Sequence, residues 1–399
     1  MASVVAAVML CSAFLAPTYA QGAEQHARPN NGFSVALFKE FCSKTAGQNV
    51  FFSPTSISIA LGMLYAGARG KTLEELSSVL GLSDAEPVDR DVVLTAYKSF
   101  LETKPVNATL DIANTVLIQK DFKILDQYRS DVVKYFQAEA RSVDFVRDGS
   151  RVTAEINKWV KEKTKGKIPK LLDAALPMNT AAFLINAVYF KGTWVTKFQA
   201  RNTKPLPFYN HGRDKVNVAT MSVRRYFGYA DVDELQARAL EVPYAGDRFG
   251  MIIVLPISWT GLPAVEAHLT TGLVDKIASH LTQRDVHLWL PKFVMHTDYD
   301  LVAPLRRLGL ESAFGDGADF SGISDRNGLA VSDVKHMAMV EVDEEGTVVA
   351  ADTSVRVTEG KSVGSVPPTP FRVEHPFAFL IWDKVSKQAL FMGAVRSLK

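Results

Sequence analysis

The chain has very little cysteine and almost no net charge. The first limits the disulfides that can form, and the second limits the partners to be expected. Its 399 residues include two cysteines, Cys11 and Cys42. Lysine and arginine together number 45 and the acidic residues 43, which leaves a net charge of +2. So small a net charge gives no reason to expect nucleic acid or a membrane surface as a partner.

No hydrophobic run in the sequence is long enough to cross a bilayer, and the only apolar run that needs weighing lies at the N-terminus. The N-terminal run 4–16 is apolar but short, and the small residues Thr18 and Ala20 suit cleavage by a signal peptidase. We therefore predict a signal peptide over residues 1–20, a mature domain over residues 21–399, and secretion to the extracellular space. A membrane anchor is the less favoured alternative.

Loss of this leader would remove Cys11 and leave Cys42 alone, so no intrachain disulfide could form in the mature chain. Val35, Phe38 and Phe41 precede Cys42 at helical spacing. This pattern predicts that Cys42 is a core residue. The alternative is a disulfide with another molecule.

Complete signatures of enzymes and metal sites are absent as well. Residues 360–364 match the G-x-S-x-G pattern of hydrolases, but the only later histidine, His375, precedes Asp383 instead of following it. Residues 67–72 end like a phosphate-binding loop, but Tyr65 occupies the position that requires glycine. No Cys/His cluster or H-E-x-x-H motif indicates a metal. We expect neither an enzyme nor a cofactor or metal site.

The periodicity of the chain predicts one mixed domain without repeats or linkers. Helical spacing occurs at 33–43, 55–67, 72–80, 152–163 and 298–308. Strand-like runs occur at 109–118, 181–190, 239–243, 251–255, 286–290, 331–342 and 377–382. A helix-rich first half followed by a strand-rich second half predicts a single α+β domain.

Residues 344–358 have the residue pattern of a β-strand, but the residues at both ends of the segment are typical of an exposed loop. Small and apolar residues fall on alternate positions: Thr347, Val349, Ala351, Thr353, Val355 and Val357. Such a period of two is typical of a half-buried strand. The flanks, 344–346 and 360–364, are charged or rich in glycine and indicate an exposed loop. A segment suited to both states indicates a conformational switch.

Further motifs along the chain, together with this segment, resemble the serpin family of serine protease inhibitors. They lie at residues 49–57, 183–194, 290–293, 319–323, 375–377 and 390–393. Each motif is short, but their order and spacing match the family over nearly all of the mature chain.

The resemblance implies a fold and a mechanism. The fold is a single α+β serpin-type domain with a large central β-sheet, further sheets, about nine helices and an exposed reactive loop at about 344–370. The mechanism is that of a monomeric suicide substrate with a metastable fold: a serine protease cleaves the loop, and the freed loop inserts into the central sheet.

The resemblance also assigns a hinge at the start of the loop: Glu345, Gly346, Thr347, Val349, Ala351 and Thr353. Some positions depart from the inhibitory pattern. Val348 and Val349 stand where glutamate and alanine are commoner, and Asp352 replaces a small residue. These departures keep open a non-inhibitory serpin that acts as a carrier, a storage protein or a chaperone.

The resemblance also implies a position for the reactive bond: counting from Gly346 as in the family puts the residue before the bond at Gly360 or, with a loop one residue longer, at Lys361. Lysine followed by Ser362 suits a trypsin-like protease, because the pocket of such a protease holds a carboxylate. Gly360 and Arg356 remain as alternatives.

Polar residues inside apolar segments predict a second part of the site. Asn186 and His336 lie in alternating apolar strands, and buried polar groups need partners. The resemblance groups them with Ser53 and Ser56 as the "shutter" where the central sheet parts, and places Trp194 at the "breach" where insertion starts. The alternative is that these side chains are unrelated and satisfied locally.

Two surface features complete the predictions. Asn107 begins the only sequon for N-glycosylation. A basic run could bind a glycosaminoglycan, but a solvated helix face and the loop after it are the favoured interpretation. The run consists of Lys158, Lys161, Lys163, Lys165, Lys167 and Lys170.

Overall fold

Residues 31–45, 47–82, 89–103, 108–346 and 367–399 are described by a computed structural model of the chain. Within these ranges there are nine α-helices, most of them in the first half. They are α1 (31–44), α2 (Pro54–Gly67), α3 (Gly70–Val79), α4 (Arg90–Glu102), α5 (Asp126–Phe136), α6 (Phe145–Lys163), α7 (Leu262–His268), α8 (Thr271–Ser279) and α9 (Val302–Arg307). None of the helices in these ranges is both long and apolar enough to cross a membrane.

The strands in the described part of the chain form two sheets. They are β1 (Val50–Phe52), β2 (Ala108–Gln119), β3 (Glu139–Val143), β4 (Ala182–Gly192), β5 (Lys204–Asn210), β6 (Asp214–Val232), β7 (Ala237–Pro243), β8 (Phe249–Pro256), β9 (Thr282–Pro291), β10 (Phe293–Asp300), β11 (Val331–Val342), β12 (Thr369–Arg372), β13 (Phe377–Asp383) and β14 (Gln388–Val395). One sheet has nine strands in the order β1-β14-β13-β8-β7-β6-β9-β12, with β5 paired to β6. The other has five, in the order β10-β11-β4-β2-β3.

Helix α2 lies between the two sheets and is buried along its whole length. It begins where the Ser53 side chain accepts a hydrogen bond from the Ser56 amide and Pro54 occupies the first turn. It packs against β14 of one sheet and β2 and β4 of the other. A helix that is apolar on all sides is typically buried. Helix α2 therefore packs under the middle of the five-stranded sheet.

The centre of the five-stranded sheet is a parallel pair, β4 and β11, between antiparallel neighbours. Their register runs from Ala182 opposite Val331 to Tyr189 opposite Met339. Helix α6 and the segment that follows it cover the face opposite α2, where Ile168 and Leu172 pack in one cluster with Ile185. The sheet is therefore covered on both faces near the middle of the pair.

The predicted α+β class is confirmed, and so are most of the predicted elements. The helix predicted at 298–308 is wrong in its first turn, because residues 298–300 finish β10 and α9 starts only at Val302. The 19-residue strand β6 was missed entirely. It leaves one face largely in water and carries charge along its length, so its apolar pattern is weak.

Candidate functional site

The two buried polar residues predicted on β4 and β11 lie opposite each other. Asn186 pairs with His336 in the register of the parallel strands, and both are fully buried. The N-terminus of α2 lies directly beneath them and supplies Ser53 and Ser56. The structure thus brings together all four residues of the predicted shutter.

One hydrogen-bond network joins these four residues. The Ser53 amide donates to Nε2 of His336 at 3.1 Å, so the ring proton is on Nδ1, which donates to Oδ1 of Asn186. The Ser56 hydroxyl donates to the same Oδ1 at 2.8 Å. Because every bond lies out of water, the network holds the junction of the two strands in a single arrangement.

Asn114 on β2 is a fifth member that the sequence reasoning missed. Nδ2 of Asn186 donates to Oδ1 of Asn114 at 2.6 Å and to the carbonyl of Ser56 at 3.0 Å. Together with the two bonds accepted by Oδ1, all four hydrogen-bonding positions of the Asn186 amide are used. Asn114 carries the same signal as Asn186, an amide inside an otherwise apolar strand.

Burial decides the charge state of the network. It lowers the pKa of His336 to about 3, because no water remains to solvate an imidazolium. The ring is therefore neutral at physiological pH. This agrees with the hydrogen bonds, since a ring that accepts from the Ser53 amide cannot be protonated on Nε2.

At one end of the junction, Trp194 follows β4 and joins it to the end of β11. The indole is buried and stacks on Tyr244, with 4.4 Å between ring centroids. Its Nε1 donates to the carbonyl of Asp343 at 2.9 Å, and its amide donates to the carbonyl of Glu345 at 3.0 Å. The predicted breach residue thus holds the end of β11 and the first residues of the predicted loop.

Gly346 closes this end with a tight turn. Its φ is +112°, and a Cβ at this position would lie 2.4 Å from the carbonyl oxygen of Gly192 and 2.5 Å from the amide of Trp194. Its amide and carbonyl pair with those of Asp343. Only glycine fits a backbone of this conformation pressed against another strand.

Two ion pairs flank the turn. Glu344 bonds to Nζ of Lys292 at 2.6 Å and to the hydroxyl of Thr203 at 2.7 Å. Burial would raise the pKa of Glu344, but these bonds outweigh it and hold the pKa below its usual value. Glu345 lies 2.6 Å from Nζ of Lys197. The two ion pairs fasten the start of the loop to Lys292 and Lys197.

The rest of the predicted loop site lies outside the described residues. This applies to the hinge residues Thr347, Val349, Ala351 and Thr353, to the reactive-bond candidates Arg356, Gly360, Lys361 and Ser362, and to the sequon residue Asn107. The chain is described again from Pro367 and enters β12, which pairs in parallel with β9.

The basic run, which covers the end of α6 and the segment after it, is largely neutralised by carboxylates. Lys165 lies 2.7 Å from Asp111 of β2, and Lys167 lies 3.3 Å from Glu341 of β11. Lys158 and Lys170 also form ion pairs, with residues on their own segment. These contacts favour the interpretation of a solvated face, and they fasten this segment to the sheet on both sides of β4.

Cys42 lies at the edge of the core, so the prediction of a core residue is confirmed only in part. It is partly buried against the main hydrophobic cluster. Burial, together with the nearby Glu266, raises the pKa of its thiol to about 12. A thiol with so high a pKa is a poor nucleophile at neutral pH. Within the described ranges, no group of three or more His, Cys, Asp and Glu residues could hold a metal ion.

Comparison with known proteins identifies the family. The profile of the family described as "Serpin (serine protease inhibitor)" matches residues 28–398. The chain belongs to the serpin family. This serpin is 41% identical to Iripin-2 of Ixodes ricinus over 382 residues, which are 95% of each chain. It is 38% identical to "Intracellular coagulation inhibitor 2" of Tachypleus tridentatus over 370 residues, which are 92% of this chain and 90% of that protein.

Solved structures agree with the sequence comparison. This serpin matches the crystal structure of human thyroxine-binding globulin with a TM-score of 0.86 at 30% identity, covering 94% of this chain and 99% of the other. The predicted family and the predicted fold class are thereby confirmed. The likeness also shows that the same fold occurs in a protein named for binding a small molecule.

Proposed function

We propose that this serpin is a secreted, monomeric inhibitor of trypsin-like serine proteases that acts as a suicide substrate, and that it is not an enzyme. The observation that carries the proposal is the direct parallel pairing of β4 and β11, with β11 leading through Gly346 into the alternating segment. A segment that turns back at Gly346 runs antiparallel to both strands. Inserted between them, it would replace one parallel pairing by two antiparallel ones, which are slightly more stable per residue.

The lengths of the segment and of the sheet are compatible. Strand β4 has 11 residues, which span about 36 Å at 3.3 Å per residue. The chain from Gly346 to Lys361 spans about 50 Å when extended. An inserted arm would therefore reach beyond the far end of β4. It would carry a protease attached to Lys361 to the opposite end of the sheet.

Side-chain chemistry supports insertion as well. The face of Thr347, Val349, Ala351 and Thr353 would be buried against the core, and it carries no charge. A buried unpaired charge would cost several kcal/mol. The alternate face, with Asp352, would remain in water. The cost of insertion includes breaking the bond between Asn186 and His336, since the new strand would lie between them.

The proposed covalent step begins when the protease binds Lys361 in its specificity pocket. The serine hydroxyl of the protease attacks the carbonyl carbon of Lys361, the bond to the Ser362 nitrogen breaks, and Ser362 leaves as a new amine. The product is an ester between protease and Lys361. If insertion precedes attack by water on this ester, the protease stays covalently trapped.

The remaining features of the proposal concern the exported protein. The leader 1–20 would direct secretion, and the domain 21–399 would carry a glycan at Asn107. Binding of a glycosaminoglycan is the part of the proposal with the least support. Lys161 and Lys163 are the members of the basic run for which the described part of the chain offers no carboxylate partner.

A non-inhibitory serpin that carries a ligand, stores protein or acts as a chaperone is the second candidate. Two observations favour it: the likeness to thyroxine-binding globulin, and Val349 at a hinge position where the inhibitory pattern has alanine. The extra methyl groups of Val349 would slow insertion. Slow insertion gives water time to hydrolyse the ester, and the protein is then cleaved without trapping the protease.

Incubation with trypsin tests the two candidates. An inhibitor gives a complex that survives boiling in SDS, and mass spectrometry of the released C-terminal peptide places Ser362 at its N-terminus. Chymotrypsin is the matched control, because its apolar pocket does not accept lysine. Cleavage without a complex, by trypsin and by other trypsin-like proteases, would contradict inhibition and favour the second candidate.

A further inference from the structure

The solvent face of the β6–β9–β12 region carries a group of side chains that the junction does not use. Direct cross-strand pairs place them on one face, because opposite residues point to the same side of a sheet. We call this group the aromatic–arginine face: Arg224, Tyr226, Asp285, His287, Trp289 and Arg372.

The aromatic–arginine face is organised by stacking. The rings of His287 and Trp289 stack with 3.7 Å between centroids, and the guanidinium of Arg372 lies 4.1 Å from the centre of the Trp289 ring. Burial, aided by Arg372 and Arg224, lowers the pKa of His287, so its ring is neutral and stacks as an aromatic group. These contacts hold the side chains in place before any partner arrives.

Tyr226 and Arg372 give this face its binding character. The Tyr226 side chain is 72% exposed, an unusual position for an aromatic ring. Arg224 pairs with Asp285 at 2.7 Å, whereas no carboxylate in the described part of the chain pairs with the exposed Arg372. Tryptophan, tyrosine and arginine are the residues that most often dominate binding energy at protein interfaces. The face therefore carries two aromatic rings, Tyr226 and Trp289, on either side of the paired Arg224 and His287, and a positive charge at Arg372.

Its position indicates the partner. Strand β12 directly follows the segment that contains the reactive-bond candidates, and Arg372 lies eleven residues after Lys361. Eleven residues reach about 40 Å at most. A globular domain of about 230 residues has a radius of gyration of roughly 17 Å, and therefore a diameter of roughly 45 Å. A protease whose cleft holds Lys361 is wide enough to reach this face.

We propose that the aromatic–arginine face is a secondary binding site for the target protease, where Tyr226 and Trp289 contact apolar surface beside the protease cleft and Arg372 pairs with an acidic patch. This inference rests on the proposed function. Such a site adds contacts outside the cleft and distinguishes among proteases with the same preference for lysine. Charge at the site acts mainly on the rate of association.

The test measures second-order rate constants for covalent complex formation with trypsin, plasmin, thrombin and factor Xa. For the protease that the unaltered protein traps fastest, Arg372→Glu and Tyr226→Ala each lower the constant at least tenfold at 0.05 M NaCl. The number of inhibitor molecules consumed per protease stays the same, because the face does not take part in insertion. At 0.5 M NaCl the loss for Arg372→Glu shrinks, and that for Tyr226→Ala persists.

Arg213→Glu is the matched control. Arg213 is exposed, precedes the first residue of β6, and is separated from Arg224 by eleven residues, or about 36 Å of extended chain. The Arg213→Glu variant makes the same change in net charge as Arg372→Glu, and we expect it to alter the second-order rate constant less than twofold.

Equal losses for Arg372→Glu and Arg213→Glu, with Tyr226→Ala unchanged, would refute the binding site but not the proposed inhibition. If the unaltered protein forms no complex with any of the four proteases, both the site and the proposed function fail. If Arg372→Glu does not fold, Tyr226→Ala decides the outcome alone.

Discussion

Replacement of Asn186 by alanine tests whether the network at the β4–β11 junction belongs to the intact state. Asn186→Ala removes four hydrogen bonds. The Ser56 hydroxyl can turn to the carbonyl of Ser53, which already lies 3.2 Å away. Nδ1 of His336 and Oδ1 of Asn114 are left buried without partners. At about 2 kcal/mol for each orphaned group, we expect a loss of about 4 kcal/mol in the free energy of unfolding.

The loss is measured on intact and loop-cleaved protein by thermal unfolding. With an entropy of unfolding of about 2.1 cal/mol/K per residue, 4 kcal/mol lowers the midpoint of a chain of about 370 residues by roughly 5 °C. If the cleaved loop inserts as proposed, the new strand separates Asn186 from His336 in the loop-cleaved protein. The same replacement should therefore cost about half as much there.

Asn114→Ala is the control for this measurement. The hydrogen bond between Asn114 and Asn186 connects β2 and β4. Both strands lie on the same side of the β4–β11 junction into which the loop would insert. We expect a loss of about 2 kcal/mol in both the intact and the cleaved protein. The reasoning is refuted if Asn186→Ala costs the same in both forms, because the network would then not be divided by insertion. It is also refuted if cleavage fails to raise the midpoint of the unaltered protein.

The remaining predictions concern the turn, the buried histidine and the loop. Gly346→Ala should lower the unfolding midpoint of the intact protein but not of the cleaved one, where the proposed insertion would straighten the turn; calorimetry of both forms checks this. His336 binds its proton more weakly folded than unfolded, so stability should fall by about 1.4 kcal/mol per pH unit from pH 6.5 down to about 3, and urea titration should show a flatter pH profile for His336→Gln. Thr347→Arg should convert the inhibitor into a substrate, whereas Asp352→Ala should leave trapping intact, as judged by the ratio of cleaved to complexed protein on gels. Lys361→Ala should abolish trapping of trypsin and Arg356→Ala should not; the opposite result in the rate constants would move the reactive bond to Arg356.

Strong local patterns account for the parts of the fold that the sequence predicts well. Helix α2 was predicted because Ser53-Pro54 marks its start and apolar residues fill it, and the predicted limits of β11 match the structure. Amides and imidazoles inside apolar strands indicated that Asn186 and His336 need partners. Where the pattern is weak, as in β6, local reasoning failed, since charge on the solvent face hides the alternation.

The amino-acid sequence alone determined the family, the α+β class, the alternating segment after β11 and the identity of the polar residues at the junction. Only the tertiary structure decided that Asn114 joins Asn186, that Lys292 fastens Glu344, and that Gly346 is required by the strand beside it. The stacking of His287 on Trp289, with Arg372 over the same Trp289 ring, is likewise seen only in the tertiary structure. The physical reason is sequence separation: periodicity and caps are short-range properties, whereas these contacts join residues 52 to 154 positions apart or depend on which strands become neighbours.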